Sequence, residues 1–155
     1  MRKISVAEIM FIEAFQRDED FEHYPQSTYL NLNTGEVFWV FIEDDDAAMW
    51  AGIEPEENAS LREKIEAAPE MYLEIRGRNH GEHHDILREF LNSNWTDDEK
   101  LRAKAQEAYS GSIGGWKEEV DDQNVVNAYF DFRDRKIKEL AEEFLQEHDI
   151  QPIWR

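Results

Sequence analysis

The chain of 155 residues contains no cysteine, and this absence removes several classes of chemistry. Disulfide bonds, thiolate nucleophiles, iron–sulfur clusters and cysteine-ligated zinc sites are all excluded. Long apolar runs are also missing, since the longest, residues 37–42, is far below the roughly 20 residues that a membrane span requires. Acidic Glu8 and Glu13 interrupt the N-terminal apolar stretch, so no signal peptide is predicted. We therefore expect a cytoplasmic protein without a membrane partner.

Positive charge is scarce in this sequence. Its 17 Lys and Arg residues stand against 36 Asp and Glu residues, which gives a formal net charge of −19. Such a surface repels phosphate backbones and anionic lipid headgroups, so direct binding to nucleic acid is not expected. The same surface suits a protein partner that is basic.

Aromatic residues are plentiful, at 12% of the chain. Nine Phe, five Tyr and five Trp can supply a core, because each ring buries roughly 150–250 Å². A disordered acidic chain would be poor in such residues. The length predicts one domain, residues 1–155, with a helix-plus-sheet portion over residues 1–78 and a helical portion over residues 79–155.

The first portion contains the period of two that is typical of strands. Residues 28–32 alternate between Leu and polar or aromatic positions, and residues 33–36 predict a tight turn in which Gly35 takes a left-handed conformation. The returning strand, residues 37–42, is apolar at every position, which predicts cover on both faces by helices or by a second copy in a homodimer. Residues 71–75 predict a third strand.

Four segments carry a helix-start pattern in which Ser, Thr or Asn precedes Glu by three residues: 5–8, 60–63, 79–82 and 96–99. A short helix is predicted from about residue 43 to Trp50, and everything beyond about residue 80 is predicted to be helical. The last helix carries an apolar stripe from Val126 to Phe144 and ends near His148 and Asp149.

These elements predict an α+β fold, in which a small antiparallel sheet, a hairpin plus a third strand, is wrapped by helices and followed by a helical C-terminal half. The predicted core comprises Ile9, Ile12, Leu30, Leu32, Phe38, Val40, Leu73, Ile137, Leu140 and Phe144.

Three stretches resemble an uncharacterised bacterial protein family, the one numbered 0158 among uncharacterised families. Residues 29–37 read Tyr-Leu-Asn-Leu-Asn-Thr-Gly-Glu-Val and are similar to the hairpin of that family. Residues 69–75 and residues 130–152 are similar to the family's segment before its first long acidic helix and to its closing helix. Residues 110–115 depart from the pattern. The family has no assigned activity, so the resemblance implies a fold and a bacterial cytoplasmic setting.

Three histidines lie within five residues, and His80 and His84 would share one face of a helix at a spacing of four. This spacing can chelate zinc, with Glu82 or Asp85 nearby, although a third ligand would have to come from elsewhere. The order of residues is not the His-Glu-x-x-His of metalloproteases. The alternative is that these are surface histidines in an acidic neighbourhood.

Two further segments invite a ligand interpretation that their spacing does not support. Residues 43–46 are four consecutive acids, whereas an EF-hand needs alternate acidic positions, so helix N-terminal charge explains them better. Residues 110–117 contain three glycines and a lysine but lack the phosphate-loop spacing, and they predict a flexible connection between helices.

Arg133, Trp39 and Tyr129 are the candidates for binding a partner or an anion. Arg133 falls on the apolar stripe of the last helix beside Tyr129, where an unpaired charge would be strongly unfavourable. It is therefore a structural ion pair, a snorkelling side chain, or an anion-binding group in an aromatic pocket. Trp39 belongs either to the core or to an interface.

No spacing of carboxylates selects a catalytic pair, so the sequence predicts no catalytic residue and no cofactor. Our first hypothesis is a non-catalytic acidic module for protein–protein interaction or regulation, with an unknown partner that an aromatic face would contact. One alternative is a nucleic-acid mimic that inhibits a basic DNA- or RNA-binding protein. Another is a metal-dependent hydrolase that uses His80 and His84.

Overall fold

A computed structural model describes residues 1–18, 26–42 and 45–155. The chain divides into two compact units. We call residues 1–78 together with 141–155 the sheet unit, and residues 79–140 the helical unit. The boundary after residue 78 coincides with the predicted boundary between the helix-plus-sheet portion and the helical portion, but residues 141–155 belong with the first unit. The predicted α+β class is confirmed, with a three-stranded antiparallel sheet and a helical C-terminal half.

Among its described residues, the sheet unit contains two separate sheets and two complete α-helices. A three-stranded antiparallel sheet has the strand order β3-β2-β4, and a two-stranded parallel sheet pairs β1 with β5. The elements are β1 (Arg2–Val6), α1 (Glu8–Gln16), β2 (Gln26–Asn31), β3 (Val37–Phe41), α2 (Pro55–Ala67), β4 (Tyr72–Glu74) and β5 (Ile150–Trp154).

The predicted hairpin is confirmed. Strands β2 and β3 pair with Tyr29 opposite Phe38, and the amide of Gly35 donates to the carbonyl of Asn31 over 2.8 Å. Gly35 has a φ of 74°, which is the left-handed conformation that glycine adopts without strain. The turn also lies against β1, because a Cβ added to Gly35 would overlap the carbonyl oxygen of Ser5.

Strands β1 and β5 correct two predictions. Ser5 belongs to β1, so residues 5–8 are not a capping box, and α1 begins after Ala7 without a side-chain cap. Residues beyond 80 are not all helical, because Ile150–Trp154 form a strand in parallel register with Arg2–Val6. Ile4 and Val6 alternate with exposed residues and are buried, which is the strand pattern that the capping-box prediction obscured.

The core of the sheet unit differs in detail from the predicted one. Ile9 was predicted to be buried but is 80% exposed, because α1 turns Phe11 and Phe15 inward instead. These two rings form a cluster with Phe144 and Trp154, with centroid separations of 5.8–6.4 Å. Leu30 and Val40 are buried as predicted, whereas five of the predicted core residues of this unit are half-buried: Ile12, Leu32, Phe38, Leu73 and Phe144. In the helical unit, the predicted core residue Ile137 is buried and Leu140 is half-buried.

Helix α2 begins earlier than predicted. Pro55 occupies its first turn, where the missing backbone N–H costs nothing, so Ser60 lies in the middle of the helix and is not a cap. Asn58 of α2 is fully buried and accepts a hydrogen bond from the Phe41 amide over 2.8 Å. Its side-chain amide donates to the carbonyl of Phe41 over 2.9 Å, so the side chain continues the ladder at the end of β3.

The helical unit contains α3 (His80–Leu91), α4 (Glu99–Glu107), α5 (Ile113–Val120) and the first part of α6 (Gln123–Glu147). The capping box at Asn79 and Glu82 is confirmed with both of its hydrogen bonds. Helix α4 is capped by Asp98, two residues later than the predicted Thr96, because the Asp98 carboxylate accepts from the amides of Lys100 and Leu101. Helix α6 ends at Glu147, just before His148, as predicted.

Aromatic contacts dominate the core of the helical unit. Trp116 is fully buried and its indole N–H donates to the carbonyl of Ala105 over 2.9 Å. The Phe90 ring contacts those of Trp95, Trp116, Tyr129 and Phe132, with centroid separations of 4.9–6.1 Å. Trp116 lies in α5, so residues 113–117 are helical and the predicted flexible connection is shorter than expected.

Candidate functional site

His80 and His84 lie on one face of α3, as their spacing predicts. The Asn79 cap fixes the first turn of the helix, and the two imidazole rings are packed against each other with a centroid separation of 4.2 Å. His80 is exposed, whereas His84 is only 4% exposed. His83 is also buried, so the interpretation of the three histidines as surface residues is wrong for His83 and His84 and holds for His80.

A tyrosine that the sequence did not single out anchors His84. The Nδ1 atom of His84 forms a hydrogen bond with the hydroxyl of Tyr109, which follows α4. The Nε2 atom of His84 is buried and has no hydrogen-bond partner among the described residues. Burial lowers the pKa of His84, and the nearby charges of His80 and Arg88 lower it further, while Asp85 opposes them. These surroundings therefore favour the neutral form of His84.

The carboxylates near this histidine pair are engaged elsewhere. Glu82 accepts from the backbone amide of Asn79 within the capping box, and Asp85 forms an ion pair with Arg88 at 3.0 Å. Across the three described stretches of the chain, no group of three or more His, Asp or Glu side chains is placed to hold a metal ion. Catalytic zinc sites use three protein ligands, and the described residues supply this histidine pair with no third one.

Arg133 and Tyr129 are close together in the helical unit, but they differ in burial. Arg133 is half-buried, while Tyr129 is 2% exposed and packs against Phe90 and Trp116. Burial raises the pKa of Tyr129, and the positive charge of Arg133 partly offsets this. Tyr129 is thus a core residue, and its ring offers no surface to a partner.

Trp39 is half-buried near the middle of β3. It lies opposite Thr28 in the register of the hairpin, on the face of the sheet that buries Leu30 and Phe41. The prediction that β3 is covered on both faces holds for Val40 and Phe41, whereas Phe38 and Trp39 keep part of their surface exposed.

The other face of this sheet carries a row of aromatic rings. Tyr29 of β2 stacks on Phe38 of β3 with a centroid separation of 6.2 Å, and Phe38 meets Tyr72 of β4 edge-on at 5.8 Å. We call these three half-buried residues the aromatic row. Burial and the neighbouring Glu74 raise the pKa of Tyr29. The alternation of residues 28–32 contained this signal, since it separates Tyr29 from Leu30 and Thr28.

A depression of about 620 Å³ adjoins the aromatic row at Tyr72. Polar and apolar atoms line it to a similar extent, and its charged residues are of both signs. The lining residues are Met1, Arg2, Leu32, Pro69, Glu70, Tyr72, Leu73, His148, Asp149 and Ile150.

The helical unit has a groove of similar size, about 610 Å³, between the end of α3 and α6. Trp95 and Phe132 contribute aromatic surface to it, and both of its basic side chains are already in contact with neighbouring groups. Lys136 pairs with Glu89 at 3.2 Å, and the Arg135 Nε donates to the Asp131 carbonyl over 3.3 Å. The remaining lining residues are Ser93, Asn94, Ala128 and Glu139.

Structural contacts account for part of the acidic cluster at residues 43–46. Asp45 accepts hydrogen bonds from Asn58 and Arg62, each over 2.7 Å, and Asp46 begins a 3₁₀ helix, Asp46–Ala51. This agrees with a role of these acids in local structure. Residues 43 and 44, which belong to the same predicted cluster, lie outside the described residues.

Comparisons with known proteins do not add to this description. No family model, no curated protein and no solved structure matches the chain. The resemblance to the family numbered 0158 stays a prediction. In the part of the chain that the structure describes, no helix is long and apolar enough to cross a membrane.

Proposed function

We propose that this protein is a non-catalytic binding module whose aromatic row contacts an arginine-rich segment of a basic protein partner. The observation that carries the proposal is the row itself. On one sheet face, the Phe38 ring contacts the rings of Tyr29 and Tyr72 from the two other strands, while each of the three residues keeps part of its surface exposed. Aromatic residues are enriched in the buried centres of protein interfaces, and contiguous exposed apolar patches are typical of interaction sites.

The charge of the sheet unit supports a basic partner. This unit carries 22 Asp and Glu residues against 8 Lys and Arg residues, a net charge of −14, whereas the helical unit has a net charge of −5. Glu74 lies opposite Tyr29 in the sheet, so an acidic group borders the aromatic row directly. A positive segment is attracted to this surface, and a negative one is repelled.

Arginine fits this surface better than lysine does. Its planar guanidinium stacks on aromatic rings and also binds carboxylates with two parallel hydrogen bonds. The protein already contains such a contact, because the guanidinium of Arg78 lies 3.9 Å from the centroid of the Phe15 ring. A stacked cation contributes about 0.5–1 kcal/mol at an exposed site and about 2 kcal/mol where water is excluded.

The proposal is tested with labelled peptides in a fluorescence anisotropy titration. The probes are a short arginine-rich peptide, the same peptide with every Arg replaced by Lys, and a neutral peptide of equal length. We expect the arginine peptide to bind about tenfold more tightly than the lysine peptide, which corresponds to about 1.4 kcal/mol from stacking. The replacement Phe38→Thr, which keeps a strand-forming residue, is expected to remove this difference.

The matched control is Trp39→Phe, because Trp39 lies on the same strand but on the opposite face. It should leave the preference for arginine unchanged. Circular dichroism of both variants verifies that the fold is retained. Equal binding of the two basic peptides, strong sensitivity to salt and no effect of Phe38→Thr would overturn the proposal. That result would favour the nucleic-acid mimic, which needs only charge.

The proposal includes the cellular compartment in which the protein binds its partner. The absence of cysteine suits a reducing compartment, and we propose a bacterial cytoplasm, in agreement with the resemblance to the family numbered 0158. A homodimer through the same sheet face would compete with the partner, so dimerisation that increases with concentration would weaken peptide binding.

A further inference from the structure

We propose that His80 and His84 form a binding site for a divalent transition-metal ion, with zinc as the expected ion. This site lies in the helical unit and is independent of the aromatic row. Three observations carry the inference: the two imidazoles are one helical turn apart and in contact, one of them is anchored by a tyrosine, and a buried nitrogen of that ring has no hydrogen-bond partner in the described residues.

The anchored ring is held in the form that binds metal. Leaving a buried N–H without an acceptor costs more than leaving a nitrogen lone pair without a donor. The lower-energy arrangement of His84 therefore has Nδ1–H donating to the Tyr109 oxygen and the lone pair on Nε2. Histidine ligands of metal ions commonly donate their second ring N–H to an oxygen, which fixes the orientation of the ring and its tautomer. In this protein, the hydroxyl oxygen of Tyr109 occupies the position of that acceptor oxygen.

His80 supplies the second ligand and the route of entry. Its ring is 4.2 Å from that of His84, centroid to centroid, and its residue is exposed at the start of α3. Zinc–nitrogen bonds are about 2.0–2.1 Å long, so one ion can bridge two imidazoles at this separation after a small rotation of the exposed ring. Two histidines four residues apart on a helix are a well-suited chelating pair.

The donor set selects the class of metal. Imidazole nitrogen suits Zn²⁺, Ni²⁺, Cu²⁺ and Co²⁺ and binds Mg²⁺ and Ca²⁺ poorly. With two protein ligands, water completes the coordination of the ion. The site therefore binds zinc reversibly, with an affinity well below that of a structural site with four protein ligands.

The test is isothermal titration of the full chain with ZnCl₂ and with MgCl₂, followed by the ring nitrogen resonances of the histidines in NMR spectra. We expect one Zn²⁺ per chain and no binding of Mg²⁺, with shifts of the His80 and His84 signals. His80→Ala should weaken zinc binding by about tenfold or more, and Tyr109→Phe, which removes only the positioning hydroxyl, by about tenfold.

His80→Ala is the decisive variant because His80 is exposed and its removal leaves the core intact. His148→Ala is the matched control, since His148 is an exposed histidine of the sheet unit at the end of α6. It should leave zinc affinity unchanged. The inference is overturned if His80→Ala binds zinc as wild type does, if His148→Ala is the variant that loses binding, or if Zn²⁺ shifts neither ring signal.

Discussion

The sheet unit and the helical unit are held together over very different distances along the chain. The helical unit is one continuous stretch, residues 79–140, and its helices begin at local caps such as Asn79, Asp98 and Ser112. The sheet unit instead combines the two ends of the sequence, because β1 pairs with β5. Local patterns determine one unit, and contacts between distant segments determine the other.

Among the substitutions that test this difference between the two units, we expect the largest loss of stability at Gly35. Gly35→Ala places a side chain on a left-handed residue and against the Ser5 carbonyl, so the hairpin can no longer lie on β1. We expect a loss of more than about 4 kcal/mol in the free energy of unfolding, measured by urea denaturation.

Gly52→Ala is the matched control for this variant. Gly52 has a similar φ of 78°, but nothing lies within 4 Å of an added Cβ. It should therefore cost only the conformational penalty, about 1–2 kcal/mol. Equal losses in the two variants would show that the approach of the turn to β1 does not stabilise the sheet unit.

The second prediction compares the loss of stability when one asparagine in each unit is replaced by alanine. Asn58→Ala removes a buried side chain that bonds both backbone groups of Phe41 and contacts Asp45, so these groups are left without a partner. A loss of about 2–3 kcal/mol is expected. Asn79→Ala removes a helix cap and should cost about 1 kcal/mol.

Both asparagine variants are measured in the same urea titrations, with tryptophan fluorescence and circular dichroism as probes. The comparison fails if Asn79→Ala proves the more damaging of the two, because a local cap would then outweigh a contact between β3 and α2.

The smallest expected effect is on the stability of the protein at alkaline pH. Burial raises the pKa of Tyr129 above its usual value of 10, so the folded chain keeps a proton that the unfolded chain releases. The stability from this difference is complete below about pH 10 and is lost as the pH rises through the folded-state pKa. Tyr129→Phe should make the loss of stability above pH 10 less steep, measured by denaturation at a series of pH values.

Tyr29→Phe provides the counterpart in the sheet unit. The pKa of Tyr29 is raised too, but its ring is half-buried, so water reduces the effect. The pH dependence should change less than in Tyr129→Phe. A larger change in Tyr29→Phe would mean that the repulsion from Glu74 outweighs burial.

The sequence predicted the features that depend on neighbouring residues. The hairpin with Gly35, the capping box at Asn79 and the end of α6 near His148 follow from patterns a few residues long. The pairing of β1 with β5 could not be predicted in this way, because each strand has five residues and its partner lies nearly the whole chain away. Pro152 within β5 also pointed away from a strand.

The candidate sites show the same division. The spacing of His80 and His84 predicted that they share a helix face, and this is what the structure shows. The burial of His84 and its bond to Tyr109 depend on how α3 packs on the segment after α4, which periodicity does not contain. The aromatic row combines residues from three strands, so it became visible only once the order β3-β2-β4 was known.

The pairing of β1 with β5 also sets the order in which the units can form during synthesis. A ribosome releases residues 1–78 first, but the parallel sheet cannot close until Ile150–Trp154 have emerged. Residues 79–140 emerge before that strand, and the main buried cluster of the helical unit consists of residues from within this stretch. The buried cluster of the unit that is translated second can therefore pack before the parallel sheet of the first unit is complete.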